Sequence, residues 1–313
     1  MPYIKIGNLA ETPRIDCSYE KLSNWGRWGK EDERGALNFI TEQKRIAAAR
    51  LVRSGTVVSL ALPLATEPAP DNPTPVTHLM HQTGYDANEV RLMPYTADYF
   101  AISPHGHAVT HLDALCHVFW RGKMYNGFDA TEVGSHGARK CAIDIAGDGI
   151  VSRGVLLDIP KIKNVQWLEP GDRIFPEDLD AAEKEHGVRV EEGDILLIRN
   201  GRARRRKTVG PWVTMQAMPG LDASCLQWLY DRKIAVLGSD SASDVVPSGY
   251  EGLSRPIHVG TLPIMGIHLI DNADLDALAV TAERLGRYEF QFVMGPLVLK
   301  RGTASPVNPL AIF

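Results

Sequence analysis

Short apolar runs and helix-period segments follow one another along the whole chain. Thr41 can cap a helix running through Val52, because Gln43 to Arg50 is rich in strong helix formers. After Gly55, the run Thr56 to Leu62 is rich in β-forming residues and reads as a strand. Three further apolar runs, Gly154 to Asp158, Asp194 to Ile198 and Ile234 to Gly238, are each bounded by glycine or a charge. Continuous runs of that length suit strands buried on both faces. Helical patterns fall near Pro176 to His186, Asp222 to Asp231 and Leu275 to Leu285. The segment Glu67 to Pro75 holds four prolines and an Asp71-Asn72 pair, which predicts an irregular loop. Strands and helices mixed along the full length predict an α/β or α+β fold.

No repeat, low-complexity stretch or composition break marks a linker, so the 313 residues are read as a single domain. A polar N-terminal arm, about Met1 to Asn24, precedes it. That arm lacks the apolar stretch of a signal peptide, and Val57 to Ala65 is far too short to span a bilayer. The net charge of -4 leaves no electrostatic footprint for nucleic acid. Cys17, Cys116, Cys141 and Cys225 are scattered without a CxxC pair, as reduced thiols in a cytoplasmic protein would be. The expected partner is therefore a small-molecule substrate rather than nucleic acid or membrane.

The basic run Arg202 to Lys207 reads as a solvated loop after a strand, with a patch for a substrate carboxylate as the alternative. Gly134 to Gly137 and Gly147 to Gly149 fit neither the P-loop nor the dinucleotide pattern, and no GxSxG elbow exists.

The chemistry concentrates in one place. Between His105 and His117 stand four histidines and one aspartate: His105, His107, His111, Asp113 and His117. Imidazole and carboxylate are the donors that hold Zn²⁺, Mn²⁺ or Fe²⁺ in catalytic sites. Positions 107, 111, 113 and 117 share parity, so an extended backbone would turn all four toward one face. A regular helix would put Asp113 nearly opposite His111, which assigns the cluster to a strand or loop. A structural site would be closed by four ligands and is commonly rich in cysteine; here Cys116 breaks the parity and reads as a buried apolar residue.

At this cluster the sequence resembles the metal-dependent cyclase-like hydrolases, the family of bacterial kynurenine formamidase and isatin hydrolase. Their signature HxGTHxDxPxH aligns with His107, Thr110, His111, Asp113 and His117. Family-like blocks also run through Ile234 to Asp240, Pro256 to His258, Gly266 to Asn272 and Ser305 to Phe313, and include Trp28-Gly29, Asp32, Gly35 and Asn38. The resemblance implies an α/β fold with a mixed β-sheet and flanking helices, the swivelling β/β/α-like cyclase fold, in a homodimer or homotetramer to which the arm could contribute. It also implies a divalent metal, Zn²⁺ or Mn²⁺, held by His107, His111 and Asp113, with His117 as acid/base. His258 and Asp271 would complete a second position. Asp271 stands where the family has a glutamate, one methylene shorter; Val109 replaces the signature glycine and Leu115 the proline.

A metal so held lowers the pKa of water from ~15.7 toward ~7 and polarises a carbonyl. The implied reaction is hydrolysis of an amide, lactam or lactone, of the formamidase or cyclic-amide type. A ring-closing lyase and a non-catalytic metal-binding protein are the alternatives on the same residues. His105 reads as a support to the ligands or a substrate contact. His268 reads as packed, while His78 and His81 are expected in a surface loop. Trp25, Trp28, Phe119 and Trp120 would either pack in the core or face an aromatic substrate.

Overall fold

The computed structural model describes residues 16–87 and 93–313. A curled nine-stranded mixed sheet forms its centre, in the spatial order Val57–Ser59, Leu310–Ile312, Glu289–Met294, Ile150–Asp158, Ile195–Arg199, Val236–Ser239, His268–Asp271, His111–Asp113 and Ala304–Pro306. The four strands from Ile150–Asp158 to His268–Asp271 are mutually parallel, and those outside them pair antiparallel. Three of these parallel strands, Ile150–Asp158, Ile195–Arg199 and Val236–Ser239, are the ones that read as unbroken apolar runs. Leu156, Leu197, Val236 and Ile270 are fully buried, as a sheet covered on both faces requires.

The helices fall where the pattern puts them. Glu42–Ala49 begins at Thr41, whose side chain accepts from the Lys44 amide. Pro176–His186 ends at Gly187 in the left-handed conformation. Cys225–Arg232 and Asp276–Leu285 bury Leu229 and Leu278.

Three expectations need correction. The basic run is no solvated loop: Arg202–Val209 is a helix whose first residue is buried. Asp71, fully buried in the proline-rich loop, requires cationic partners, and Arg202 and Arg206 approach it at 3.3 and 2.6 Å. The N-terminal segment does not stand off as an arm from residue 16 onward; residues 1–15 of that expectation lie outside the described residues. Helix Asp16–Lys21 carries the buried Tyr19, whose hydroxyl donates to the Pro256 carbonyl, and Asn24 donates to the Met265 carbonyl. His78 and His81 lie on an exposed strand, Thr77–Gln82, paired with Ala97–Ala101, rather than in a loop.

The family-like block near the front has a structural task. Asp32 accepts from the Gly35 amide, Asn38 and Tyr125. Gly35, at φ 58°, lies so close to Gly266 that an added Cβ would sit 2.2 Å from its carbonyl oxygen. This contact fastens the turn that leads into the His268–Asp271 strand. Among the described residues no helix is long and apolar enough to cross a membrane.

Candidate metal centre

The site lies beyond the carboxyl ends of the parallel strands, where open α/β sheets place their ligands. His111 and Asp113 occupy a short antiparallel strand against His268–Asp271, in a register that sets His111 opposite Asp271. Residues two apart share a face, so this pairing alone assembles His111, Asp113 and Asp271. His258 joins them from the helix Pro256–Val259. Its Nε2 stands 3.8 Å from Asp113 Oδ2 and 3.5 Å from Asp271 Oδ2. His111 Nε2 is 3.3 Å from Asp113 Oδ1. All four side chains are buried.

Shared parity places His111 and Asp113 together but does not govern the flanking histidines. Gly106, at φ 152°, breaks the extended run before His107, and His117 closes a turn by donating its amide to the Ala114 carbonyl. His107 lies in the same cavity with its Nε2 3.2 Å from Met215 Sδ and its Nδ1 buried without a partner. His105 comes nearer than expected, its Nδ1 3.0 Å from Asp113 Oδ1 and its ring stacked on His117 at 3.7 Å. Potential ligand atoms therefore group as His105, His111 and Asp113, and as Asp113, His258 and Asp271, with Asp113 common to both. Val109, in place of the signature glycine, needs no positive φ and lends its carbonyl to His111 Nδ1.

Hydrogen bonding fixes which nitrogens are available. His111 Nδ1 donates to the Val109 carbonyl at 2.9 Å, and His258 Nδ1 meets Asp244 Oδ2 at 2.5 Å. In each neutral ring the proton then sits on Nδ1, and the Nε2 lone pair faces a carboxylate. Lone pair against lone pair is unfavourable unless a proton or a cation lies between them. Both oxygens of Asp113 and Oδ1 of Asp271 are buried and accept no well-directed hydrogen bond among the described residues, although imidazoles crowd them.

The charge balance agrees. Burial pushes the His111 pKa down, yet the Asp113 carboxylate outweighs it and raises it to about 9. Burial likewise opposes charge on His258, and its bonds to Asp244 and Asp271 raise it well above the usual value. Burial lowers His107 to about 4, helped by Arg202 and Arg255, and lowers His117 to about 4. The buried donor set, nitrogen and carboxylate oxygen with atoms left unpartnered, fits a divalent ion of the Zn²⁺ or Mn²⁺ kind.

Three residues have supporting roles that the sequence did not assign them. Asp244 accepts from the Ile257 and His258 amides as well as from the ring. Arg202 donates to the His107 carbonyl, and Asn272 donates to the Gly106 and Val109 carbonyls, holding the histidine loop. Only Asn272 lay in a family-like block; Asp244 and Arg202 act across separations that no periodicity reveals. His268 is buried and packed, with burial taking it to about 3. The aromatic candidates stay outside the cavity: Trp28 packs on Phe39, Trp120 on Tyr19, and Trp25 bonds to Pro263.

The family model for Cyclase matches residues 37–244. The chain belongs to that family. A solved structure described as a novel cyclase is 30% identical, covering 94% of this chain and 99% of its own, with a TM-score of 0.86. Isatin hydrolase A from Ralstonia solanacearum is 20% identical over 97% of this chain and 99% of its own, with a TM-score of 0.56. A Bacillus stearothermophilus structure described as a predicted metal-dependent hydrolase is 16% identical over 82% and 97%, with a TM-score of 0.51. The last two share the cyclase fold. No protein of curated function matches the sequence.

Proposed function

We propose that this cyclase-family chain is a metal-dependent hydrolase that opens an amide, lactam or lactone bond of a small substrate. The observation that carries the reading is the buried set His111, Asp113, His258 and Asp271, two overlapping groups of ligand atoms joined at Asp113, in which both Asp113 oxygens and Asp271 Oδ1 lack a hydrogen-bond partner among the described residues. His107, a ligand in the implied set, lines the same cavity with its Nδ1 buried and unpartnered among the described residues, outside both groups of converging ligand atoms. A divalent ion held by these residues supplies Lewis acidity and a lowered pKa for water. The kinship with isatin hydrolase and with a predicted metal-dependent hydrolase supports hydrolysis over simple metal storage.

The chain's own residues set the rest. Asp244 holds His258 in the tautomer that turns Nε2 inward, and Val109 does so for His111. His117 lines the cavity beside the cluster, half-buried and stacked on His105, outside both ligand groups. Its lowered pKa leaves it neutral at pH 7, so it can take a proton from water and return it to the leaving nitrogen or oxygen. The cavity of about 430 Å³ accommodates a small molecule.

The working protein is read as a homodimer or homotetramer. Leu79 and Tyr99 lie opposite each other on one side of the exposed ribbon formed by Thr77–Gln82 and Ala97–Ala101, and Met80 and Phe100 lie on its other side, so the ribbon presents apolar side chains suited to a second copy.

Function is tested by offering the protein N-formyl aromatic amines, cyclic imides and lactones, before and after metal stripping and re-addition. Metal-dependent ring or amide opening supports the reading. Formation of a dehydrated ring would make it a lyase, and inactivity on every class in all metal states would remove the hydrolase assignment.

A further inference from the structure

Arg255 opens into the same cavity as the His/Asp cluster and lacks a counter-charge. Arg153, Arg173, Arg199, Arg202 and Arg232 each pair with an aspartate or glutamate. Arg255 forms no ion pair among the described residues, although it is half-buried. Among the described residues its Nη1 is buried without a hydrogen-bond partner, and its Nη2 meets only Met215 Sδ, at 3.6 Å. A thioether is a poor acceptor, so a guanidinium in this position is under-satisfied.

Met215 explains how a ligand would enter. Its sulfur also lies 3.2 Å from His107 Nε2, so one side chain bridges Arg255 and the metal-side histidine. It is 65% exposed and comes from the irregular stretch between Arg202–Val209 and Gly220–Leu221. An unbranched side chain on such a stretch swings aside at little cost. A molecule replacing it would touch the guanidinium at one end and the cluster at the other.

Local charge favours an anion there. Asp71, the other carboxylate at the cavity wall, is already paired with Arg202 and Arg206. A divalent ion at the cluster would balance Asp113 and Asp271, leaving the Arg255 charge for the ligand.

We propose that Arg255 is the specificity-determining residue of this site, and that the substrates are small carboxylate-bearing molecules. Their carboxylate takes the place of the Met215 sulfur on the guanidinium fork, with the bond to be opened lying at the cluster. The planar fork matches a carboxylate in two parallel hydrogen bonds, which neither lysine nor a neutral amide reproduces. This assignment rests on the hydrolase reading for the identity of the reaction but not for the binding itself.

The test is calorimetric titration of metal-loaded and metal-stripped protein with phthalamate, which carries one amide and one carboxylate, and with phthalamide, its neutral counterpart. Wild-type protein should prefer phthalamate by about tenfold or more in both metal states, the worth of a charge-assisted contact. Arg255→Gln should bring the two ligands together while bound metal stays unchanged. Arg255→Lys, which keeps charge and bulk, should retain part of the preference and guards against a glutamine variant that fails to fold. Equal binding of the two ligands to wild type, or a preference that survives in Arg255→Gln, would overturn the proposal. So would a preference that vanishes on metal stripping, because the carboxylate would then be bound by the cation. Arg255-dependent binding by a protein that opens no amide, lactam or lactone would remove the hydrolase reading and leave this assignment standing.

Discussion

Metal-free protein should lose stability as the pH rises from 6.5 to 8.5, against the usual tendency of proteins to be most stable in that range. The cause is His111, raised to about 9 by the Asp113 carboxylate against the effect of burial. A histidine whose folded pKa lies above its unfolded value stabilises the fold fully below the unfolded pKa. It loses that contribution as the pH rises through the folded pKa. Raising a pKa by one pH unit is worth about 1.4 kcal/mol, so the proton on His111 contributes up to about 3 kcal/mol, of which about 2 is lost by pH 8.5. His258, raised in the same direction, adds to the loss. His107, His117, His186 and His268, all lowered by burial to about 4 or below, act in the opposite sense: each is half protonated when unfolded at pH 6.5, so each returns about 0.4 kcal/mol by pH 8.5, against the larger losses at His111 and His258. Cys116, pushed up to about 12 by burial, weakens the fold only where unfolded thiols ionise, near pH ~8.5, so the comparison stops there. The assay is thermal unfolding of chelator-stripped protein followed by tryptophan fluorescence. A fall of roughly 3–6 °C is expected, shrinking in Asp113→Asn, which removes the charge that raises His111. An unchanged or rising melting temperature in stripped wild-type protein would refute the reasoning about the cluster.

Three further outcomes follow from the same geometry. His111→Ala should lose metal and activity together, whereas His117→Ala should keep its metal while turnover falls roughly 10²–10⁴-fold; loss of metal in both would make His117 a ligand. Asp244→Ala should weaken metal affinity by roughly 10–100-fold in a chelator competition, because His258 is released from the tautomer that turns Nε2 inward; unaltered affinity would show that Asp244 only braces the Pro256–Val259 helix. Leu79→Lys combined with Phe100→Lys should convert an oligomer to a monomer in light scattering, and an unchanged mass would place the subunit contact elsewhere.

What the sequence made legible was local. The apolar runs around Val155, Leu196 and Val236 announce themselves because a strand covered on both faces has no polar side to interrupt it. Thr41 marks a helix start because its hydroxyl bonds three residues ahead. Parity placed His111 and Asp113 together because two residues apart on a strand is a geometric certainty. It failed at His107 and His117, where Gly106 and the turn from Ala114 end the extended backbone. Long-range charge pairing stayed hidden. Nothing near Arg202 predicts that Asp71 will be buried beside it, so a helix with an interior arginine looked like a solvated basic loop. Arg255 and Met215 met no pattern either, since their importance comes from sharing one cavity with residues distant in sequence.

The most direct measurement is the metal content of protein purified without added metal, by elemental analysis beside the Asp113→Ala variant. Asp113 is the atom source shared by both potential ligand groups, so its loss disables each of them. About one equivalent of zinc or manganese per wild-type chain is expected, and close to none in the variant. Less than roughly a tenth of an equivalent in the wild type, with no uptake on adding either metal back, would contradict a metal centre at this cluster.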